Sequence, residues 1–406
     1  MLIAGIAEGR DAAAALIAID GGVTSVLAVV YQQSVDRVAH SAAFPSAALD
    51  ACLDVAGRKA RDLDRIVVTN LPAVPAVAGA SPTLARASGS RRLAGLFRRT
   101  GVYRVAHDRA AARVEDWAKA AGFRATVSTV ETDLAHAHLA YRTAAHGRAI
   151  IIVGGQHPDG HAISVFEARN GQIDPLPETG RSSLAEVLRA QPAGEHLVLA
   201  GEAFASFGRD RLGLHTTLAP LLNNGGAALG AALWEAGPSP SPLLTRLLGP
   251  EFTSDAAYKA LSNTQQPRDK ADPGEVIEAA VGALTAGHSV FWARGRAGSR
   301  PDLLPGRVEL VQTAALPSGT GQALRLVVGE PEHGLDLSAE SPDLVALLLR
   351  TGPLYARPIA RPGEPAALSP TDVIRVFRAA GADRRGQNAP ALLVLGDYLV
   401  RAAALS

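Results

Sequence analysis

The stretch "RAIIIVGGQHPDGHAISVFEARNGQI", Arg148 to Ile173, decides how this chain is read. "RAIIIVGG" is a buried-strand run, "HAISVFEAR" is a second strand after a polar loop, and Asn170-Gly171 is a dipeptide that closes a tight hairpin. The same order stands at the start of the chain. Residues 2–6, 14–20 and 24–30 read as three strands of a meander, with Asp20-Gly21-Gly22 as the turn between the last two. Each meander is followed by helical spacing and further apolar runs. After the first come a helix in "SAALDACLDVAGRKARDL" (Ser46–Leu63), a strand in "DRIVVTN" (Asp64–Asn70), a strand in "ATVSTVE" (Ala125–Glu131) and a helix from Thr132. After the second come a strand in "LVLAGEA" (Leu197–Ala203) and "NNGGAALGAALWEAG" (Asn223–Gly237), a glycine-rich loop opening a helix. Strands alternating with helices predict an α/β protein.

Working outward, 406 residues are too many for one core, so two or three domains are expected. Forty Lys and Arg against 39 Asp and Glu leave a net charge of +1, which gives no general attraction to nucleic acid or an anionic membrane. Cys52 is the only cysteine, which excludes a disulfide framework and a zinc site built on several thiolates. No uninterrupted apolar run reaches the roughly 18 residues of a membrane span. The apolar N-terminus is broken by Glu8, Arg10 and Asp11 and reads as strand, turn, strand, so a cytoplasmic protein is expected.

Alternating Pro and Ser in "GPSPSPLL", Gly237–Leu244, mark a boundary. The expected division is a domain over 1–240, a linker over 241–275 and a second α/β domain over 276–406. The second domain ends in a helix, "SPTDVIRVFRAAG", with Ser369 as its N-cap, and a strand, "ALLVLGDYLV".

The repeated meander resembles the duplicated core of actin-like (ASKHA) and sugar-kinase-like nucleotide-binding proteins. Along nearly its whole length the chain is also similar to the carbamoyltransferases of natural-product and nodulation-factor biosynthesis. "GIAEGRDAAAALIAIDGG" resembles that family's "GI…GHDASAALL.DG", and "DRVAHSAAFPSAALDACLDVAG" resembles "R.KHD.GFP..AL.A.L..AG". "LVLAGEAFAS" looks like "L.LAGGVALN", "NNGGAALGAAL" like "GDAGGALGAAL", and "GEPAALSPTDVIRVF…ALLVLGDYLV" like "GEPIV.TPEDAL.CF…ALVLGDFLV". The resemblance implies an actin-like N-terminal domain that binds ATP and an iron-type metal. It implies a C-terminal domain, here shortened, of the YrdC-like fold that makes carbamoyladenylate from carbamoyl phosphate and ATP.

Carried over residue by residue, the resemblance places Asp11, Arg37 and His40 on the catalytic face, with Arg10 where the family has a histidine. Gly201, Asn224, Gly225 and Gly226 would face the nucleotide, since a helix start offers free N–H groups to phosphate. Arg296 and Arg307 are the cations kept from "QGRMEFGPRALGNRS" in "RGRAGSRPDLLPGRV", Arg294–Val308, where Asp302 stands at an expected arginine. The family's metal helix reads "HHLAHA"; here it reads "TDLAHA", so Thr132 replaces one ligand and His136 keeps the other. The family's remaining two ligands, both aspartates, correspond to Gly154 and Asn224. Asp133 offers a substitute carboxylate and His138 a second imidazole. On a helix, however, His136 and His138 project about 200° apart.

"GGAALGAAL" lacks the strand and downstream acid of a dinucleotide fingerprint. "SRRLAGLFRRTGVYR", Ser90–Arg104, reads as a basic helix face in solvent. "GQHPDGH", with His157, Asp159 and His161, reads as a polar hairpin tip rather than a metal loop. The expected function is that of a degenerate carbamoyltransferase-like subunit acting on a small-molecule metabolite beside an active paralogue, or as a homodimer. The alternatives are an enzyme that still transfers a carbamoyl group or has been repurposed, and a binding protein that keeps an ATP cleft.

Overall fold

The structure is a computed structural model that describes residues 1–38, 40–69, 101–144, 148–157, 160–176, 196–201, 204, 216–219, 221, 223–237, 249, 252–295, 308–312, 324–326, 342–359, 369–383 and 390–402. Contacts divide the chain into two compact units, one of residues 1–32 and 40–244, the other of residues 33–39 and 245–406.

In the first unit, β1 (Leu2–Ala7), β2 (Ala13–Asp20) and β3 (Val23–Tyr31) form an antiparallel meander. Gly21 and Gly22 take positive φ at its second turn, a conformation that costs glycine nothing. Helix α1 (Ser46–Val55) follows and ends before Gly57, whose φ is 61°. The expected helix over 46–63 therefore stops early, with only a 3₁₀ turn at Ala60–Asp62 beyond it. Strand β4 (Arg65–Thr69), helix α2 (Gly101–Ala120) and strand β5 (Thr126–Thr129) complete the half. The sheet order is β3-β2-β1-β4-β5, with β1, β4 and β5 parallel.

After helix α3 (Thr132–Ala144), the pattern repeats with β6 (Arg148–His157), β7 (Gly160–Arg169), β8 (Gln172–Pro175), β9 (Leu197–Ala200) and β10 (Thr216–Leu218). The order is β8-β7-β6-β9-β10, again with an antiparallel meander and then parallel strands. Asn170 (φ 51°) and Gly171 (φ 89°) make the turn that the sequence assigned to them. Two five-stranded sheets of order 3-2-1-4-5 in one chain are the arrangement of the actin-like fold.

Helices α3 and α4 (Asn224–Glu235) join the halves crosswise. Helix α3 follows the first sheet in the chain yet packs on β6, β7 and β9 of the second. Ala137, Ala140 and Tyr141 enter that core with Ile151, Ile152 and Phe166. Helix α4 follows the second sheet and packs on β1, β2 and β4 of the first. The two helices also pack on each other, and at Gly230 backbone meets backbone. A methyl group on Gly230 of α4 would overlap the Ala135 carbonyl oxygen of α3, and one on Gly5 of β1 would overlap the Ala228 carbonyl oxygen on the opposite side of α4.

The second unit contains α5 (Ser254–Asn263), β11 (Asp269–Lys270), α6 (Pro273–Thr285), β12 (Ser289–Ala293), β13 (Val308–Val311), β14 (Leu324–Leu326), α7 (Pro342–Thr351), β15 (Leu354–Pro358), α8 (Pro370–Asp383), β16 (Pro390–Leu395) and β17 (Tyr398–Arg401). Its seven-stranded mixed sheet has the order β11-β17-β16-β12-β13-β15-β14. Alternation along β12 and β16 feeds two cores. Val290, Trp292, Leu392 and Val394 meet Val276, Leu284, Leu344 and Leu347, whereas Phe291, Ala293, Leu393 and Leu395 meet Leu261, Ile374 and Phe377.

Residues 254–263, expected within the linker, are helical, because Thr253 caps the helix and Ala257, Ala260 and Leu261 are buried. "ALLVLGDYLV" is a hairpin rather than one strand, since Gly396 takes a φ of 56° and turns the chain at Asp397. Arg294 ties that turn to α7, donating to Asp397 (2.7 Å), the Gly396 carbonyl (2.9 Å) and Asp343 (2.6 Å). Ser369 caps α8 as expected, accepting from the Asp372 N–H at 3.2 Å while Asp372 accepts from the Ser369 N–H at 3.0 Å.

Candidate functional site

The candidate site lies in the first unit, where the loop after β1, the ends of β3 and β4, and the starts of α3 and α4 are hydrogen-bonded together. The loop from Glu8 to Asp11 is held from several sides. The Glu8 N–H donates to the Thr69 carbonyl at 3.3 Å. The Glu8 carboxylate is buried and takes two hydrogen bonds from Arg113, at 2.6 and 2.8 Å. Asn224, the first residue of α4, reaches across and donates from Nδ2 to the Glu8 carbonyl (3.0 Å) and the Arg10 carbonyl (2.7 Å).

Asp11 and His40 are brought together, with Asp11 Oδ1 2.8 Å from His40 Nδ1. Both have left-handed backbones, φ 61° and 54°, which non-glycine residues adopt only where the surroundings impose it. Arg37 (φ 62°) belongs to the second unit, and its exposed guanidinium is 3.7 Å from Asp372. At that exposure the pair contributes little.

The four positions of the family's metal set differ sharply in what they offer. Thr132 Oγ1 is hydrogen-bonded to Thr69 Oγ1 at 3.3 Å. Gly154 has no side-chain donor, and its backbone is pressed against Gly201, where a methyl group would lie 3.0 Å from the Gly154 carbonyl carbon. The Asn224 amide faces carbonyl oxygens. His136 alone keeps a ligand side chain, and it is only 5% exposed. Its neighbour Asp133 accepts a hydrogen bond from Ser164 at 2.5 Å. Among the described residues no three His, Cys, Asp or Glu side chains gather in a way that could hold a metal ion. A hydroxyl, an amide aimed the wrong way and one imidazole do not fit an iron-type metal, which draws its affinity from several charged or strongly basic donors.

His136 Nδ1 and His138 Nδ1 are both buried without a hydrogen-bond partner among the described residues. Burial pushes the His136 imidazole down to about 4 against an opposing pull from Asp133, and burial with Arg142 nearby pushes His138 to about 4 as well. Lowered pKa values mean that the unfolded chain binds more protons than the folded one between about pH 6.5 and 4. The stabilisation is therefore complete above pH 6.5 and is lost as pH falls through that window. For His136 the loss amounts to roughly 3 kcal/mol by pH 4. Urea unfolding at pH 7 and pH 4.5 should show His136→Gln losing less stability on acidification than the wild-type chain. An equal loss in both would remove His136 as the titrating group.

The start of α4, which the resemblance would turn toward a nucleotide, is occupied by a tyrosine. The Tyr31 hydroxyl, at the end of β3, is hydrogen-bonded to Asn223 Oδ1 and accepts from the Gly225 N–H at 3.2 Å. The Gly226 and Ala227 N–H groups turn to the Asn223 carbonyl, at 2.8 and 3.1 Å. Glu8 and Asn223 lie inside stretches that resemble family motifs and Thr69 in none, yet none of the three was among the expected site residues. Arg296, Arg307 and Asp159 lie outside the described residues, as do residues 90–100 of the basic stretch. Among the described residues no helix is long and apolar enough to cross a membrane.

No family model matches the chain, and no curated protein matches it. Among solved structures it is similar to YeaZ from Pseudomonas aeruginosa, at 14% identity over 59% of this chain and 95% of that one, with a TM-score of 0.31. It is similar to a PilM-PilN type IV pilus biogenesis complex at 15% identity over 58% and 99%, TM-score 0.34. It is similar to the inorganic polyphosphate/ATP-glucomannokinase from Arthrobacter sp. strain KM at 15% identity over 58% and 98%, TM-score 0.30. The actin-like character of the first unit rests on the strand order of its own two sheets.

Proposed function

We propose that this chain is a carbamoyltransferase-like protein whose metal and carbamoyl-phosphate chemistry has been dismantled, and that it serves as a non-catalytic subunit beside an active paralogue in the cytoplasm. The observation that carries this reading is the orientation of Asn224. Its amide hydrogens are committed to the Glu8 and Arg10 carbonyls, so the position that would supply a carboxylate to a metal is instead a brace for the neighbouring loop. Thr132 bonded to Thr69 and a bare Gly154 support the same conclusion. The second unit takes the part of a reduced YrdC-like domain in this reading. An acceptor metabolite would be bound, by this subunit or across a subunit pair, without being turned over here.

The second reading is a repurposed enzyme on the same scaffold, modifying a hydroxyl or amine of a small molecule. The Asp11–His40 pair favours it, because an imidazole oriented by a carboxylate is an arrangement suited to proton transfer.

The test is direct. Purified protein should contain iron and zinc far below one equivalent, and should release no pyrophosphate from ATP when carbamoyl phosphate is added. Stoichiometric metal with carbamoyl-phosphate-dependent pyrophosphate release would overturn the reading.

A further inference from the structure

We infer that Tyr31 is a fixed internal occupant of the anion cradle at the start of α4, so that nucleotide phosphate does not bind there. A helix start holds anions through free N–H groups of its first turn together with the positive end of its dipole. In this chain the Gly225 N–H already donates to the Tyr31 hydroxyl at 3.2 Å. A phosphate oxygen accepting from the same N–H at roughly 2.9 Å would need the space that the phenol oxygen fills. Asn223 Oδ1 is bonded to that same phenol and adds an acceptor where an anion would meet electrostatic repulsion.

The fit is built into both partners. Tyr31 is only 2% exposed, one of the largest fully buried side chains. A methyl group on Gly225 would lie 2.7 Å from the Tyr31 ring carbon that bears the hydroxyl. The glycine that in a phosphate loop admits the ligand here admits the tyrosine ring. The Gly226 N–H, a donor of the first turn, is turned to the Asn223 carbonyl at 2.8 Å, and Ala227 makes the first regular helical bond to the same oxygen. The exchange is chemically consistent: a neutral phenol satisfies an N–H donor in a buried place without the desolvation cost of a charged phosphate.

This inference is independent of the proposed function, because a metal-free enzyme could carry the same plug and a non-catalytic subunit could lack it. The experiment follows the backbone amides of Gly225, Gly226 and Ala227 by NMR in the full-length protein. In the wild-type chain these amides should not move when ATP or inorganic pyrophosphate is added, even where either binds elsewhere. Tyr31→Phe keeps the ring and removes the acceptor, and should speed hydrogen exchange at the Gly225 amide at least tenfold. Saturable movement of these three amides in the wild-type chain, or unchanged Gly225 exchange in Tyr31→Phe, would overturn the inference. Should Tyr31→Phe fail to fold, the wild-type titration alone decides it.

Discussion

Gly230→Ala is expected to destabilise the first unit by about 3 kcal/mol or more, at the upper end of what overpacking usually costs. The added methyl group would overlap the Ala135 carbonyl oxygen and lie 2.6 Å from its carbonyl carbon. Both are backbone atoms of α3, so no rotamer change relieves the overlap. Helix α4 cannot retreat, because its opposite side is against β1, where the Gly5 Cβ position lies 2.8 Å from the Ala228 carbonyl carbon. The control is Gly282→Ala in α6, where nothing lies within 4 Å of the new methyl group. That change should stabilise by roughly 0.5 kcal/mol through the unfolded chain and helix propensity. Urea unfolding of the two variants should move in opposite directions. A Gly230→Ala midpoint within error of wild type would mean that α3 and α4 are not in backbone contact.

Asn224→Asp should cost about 2 kcal/mol at pH 7, although it restores the residue type of the family's motif. Two hydrogen bonds would be lost, at roughly 1 kcal/mol each, and a carboxylate oxygen would face carbonyl oxygens where Nδ2 now lies 2.7 and 3.0 Å from them. The α4 dipole returns only some tenths of a kcal/mol. The new carboxyl group would have its pKa raised in the folded protein by this repulsion. Its penalty is then absent below the unfolded value of about 3.9 and grows as pH rises through the folded pKa. The difference between Asn224→Asp and wild type, measured at each pH, should narrow on acidification even as His136 and His138 weaken both proteins equally. A variant as stable as wild type at pH 7 would show that the loop is held without the amide.

Much of the fold was legible in the sequence for local reasons. Asp20-Gly21-Gly22 and Asn170-Gly171 declare their turns because few residues tolerate positive φ, and the runs around them have strand composition. The hairpin at Gly396 was missed because a Gly-Asp pair inside "ALLVLGDYLV" reads as an interruption in one apolar run. The crosswise packing of α3 and α4 could not be read, since it depends on Gly5 and Gly230 meeting backbone from distant parts of the chain. The candidate site was legible only where a motif named it. His136 and Asn224 stand at motif positions, yet the direction of the Asn224 amide is a tertiary fact. The part that Tyr31 plays could not be read, because a tyrosine ending an apolar strand looks like core and its partners lie more than 190 residues away.

The crossing of α3 and α4 also sets a timetable for synthesis. The face of the first sheet that α4 covers is complete once β5 has been made, but its cover is not translated until Asn224–Glu235 emerges. At roughly 5–20 residues per second the wait is on the order of ten seconds. Through that interval the nascent chain presents an apolar surface with no partner of its own, a natural substrate for chaperones and a point where slowed translation would divert the chain to aggregation.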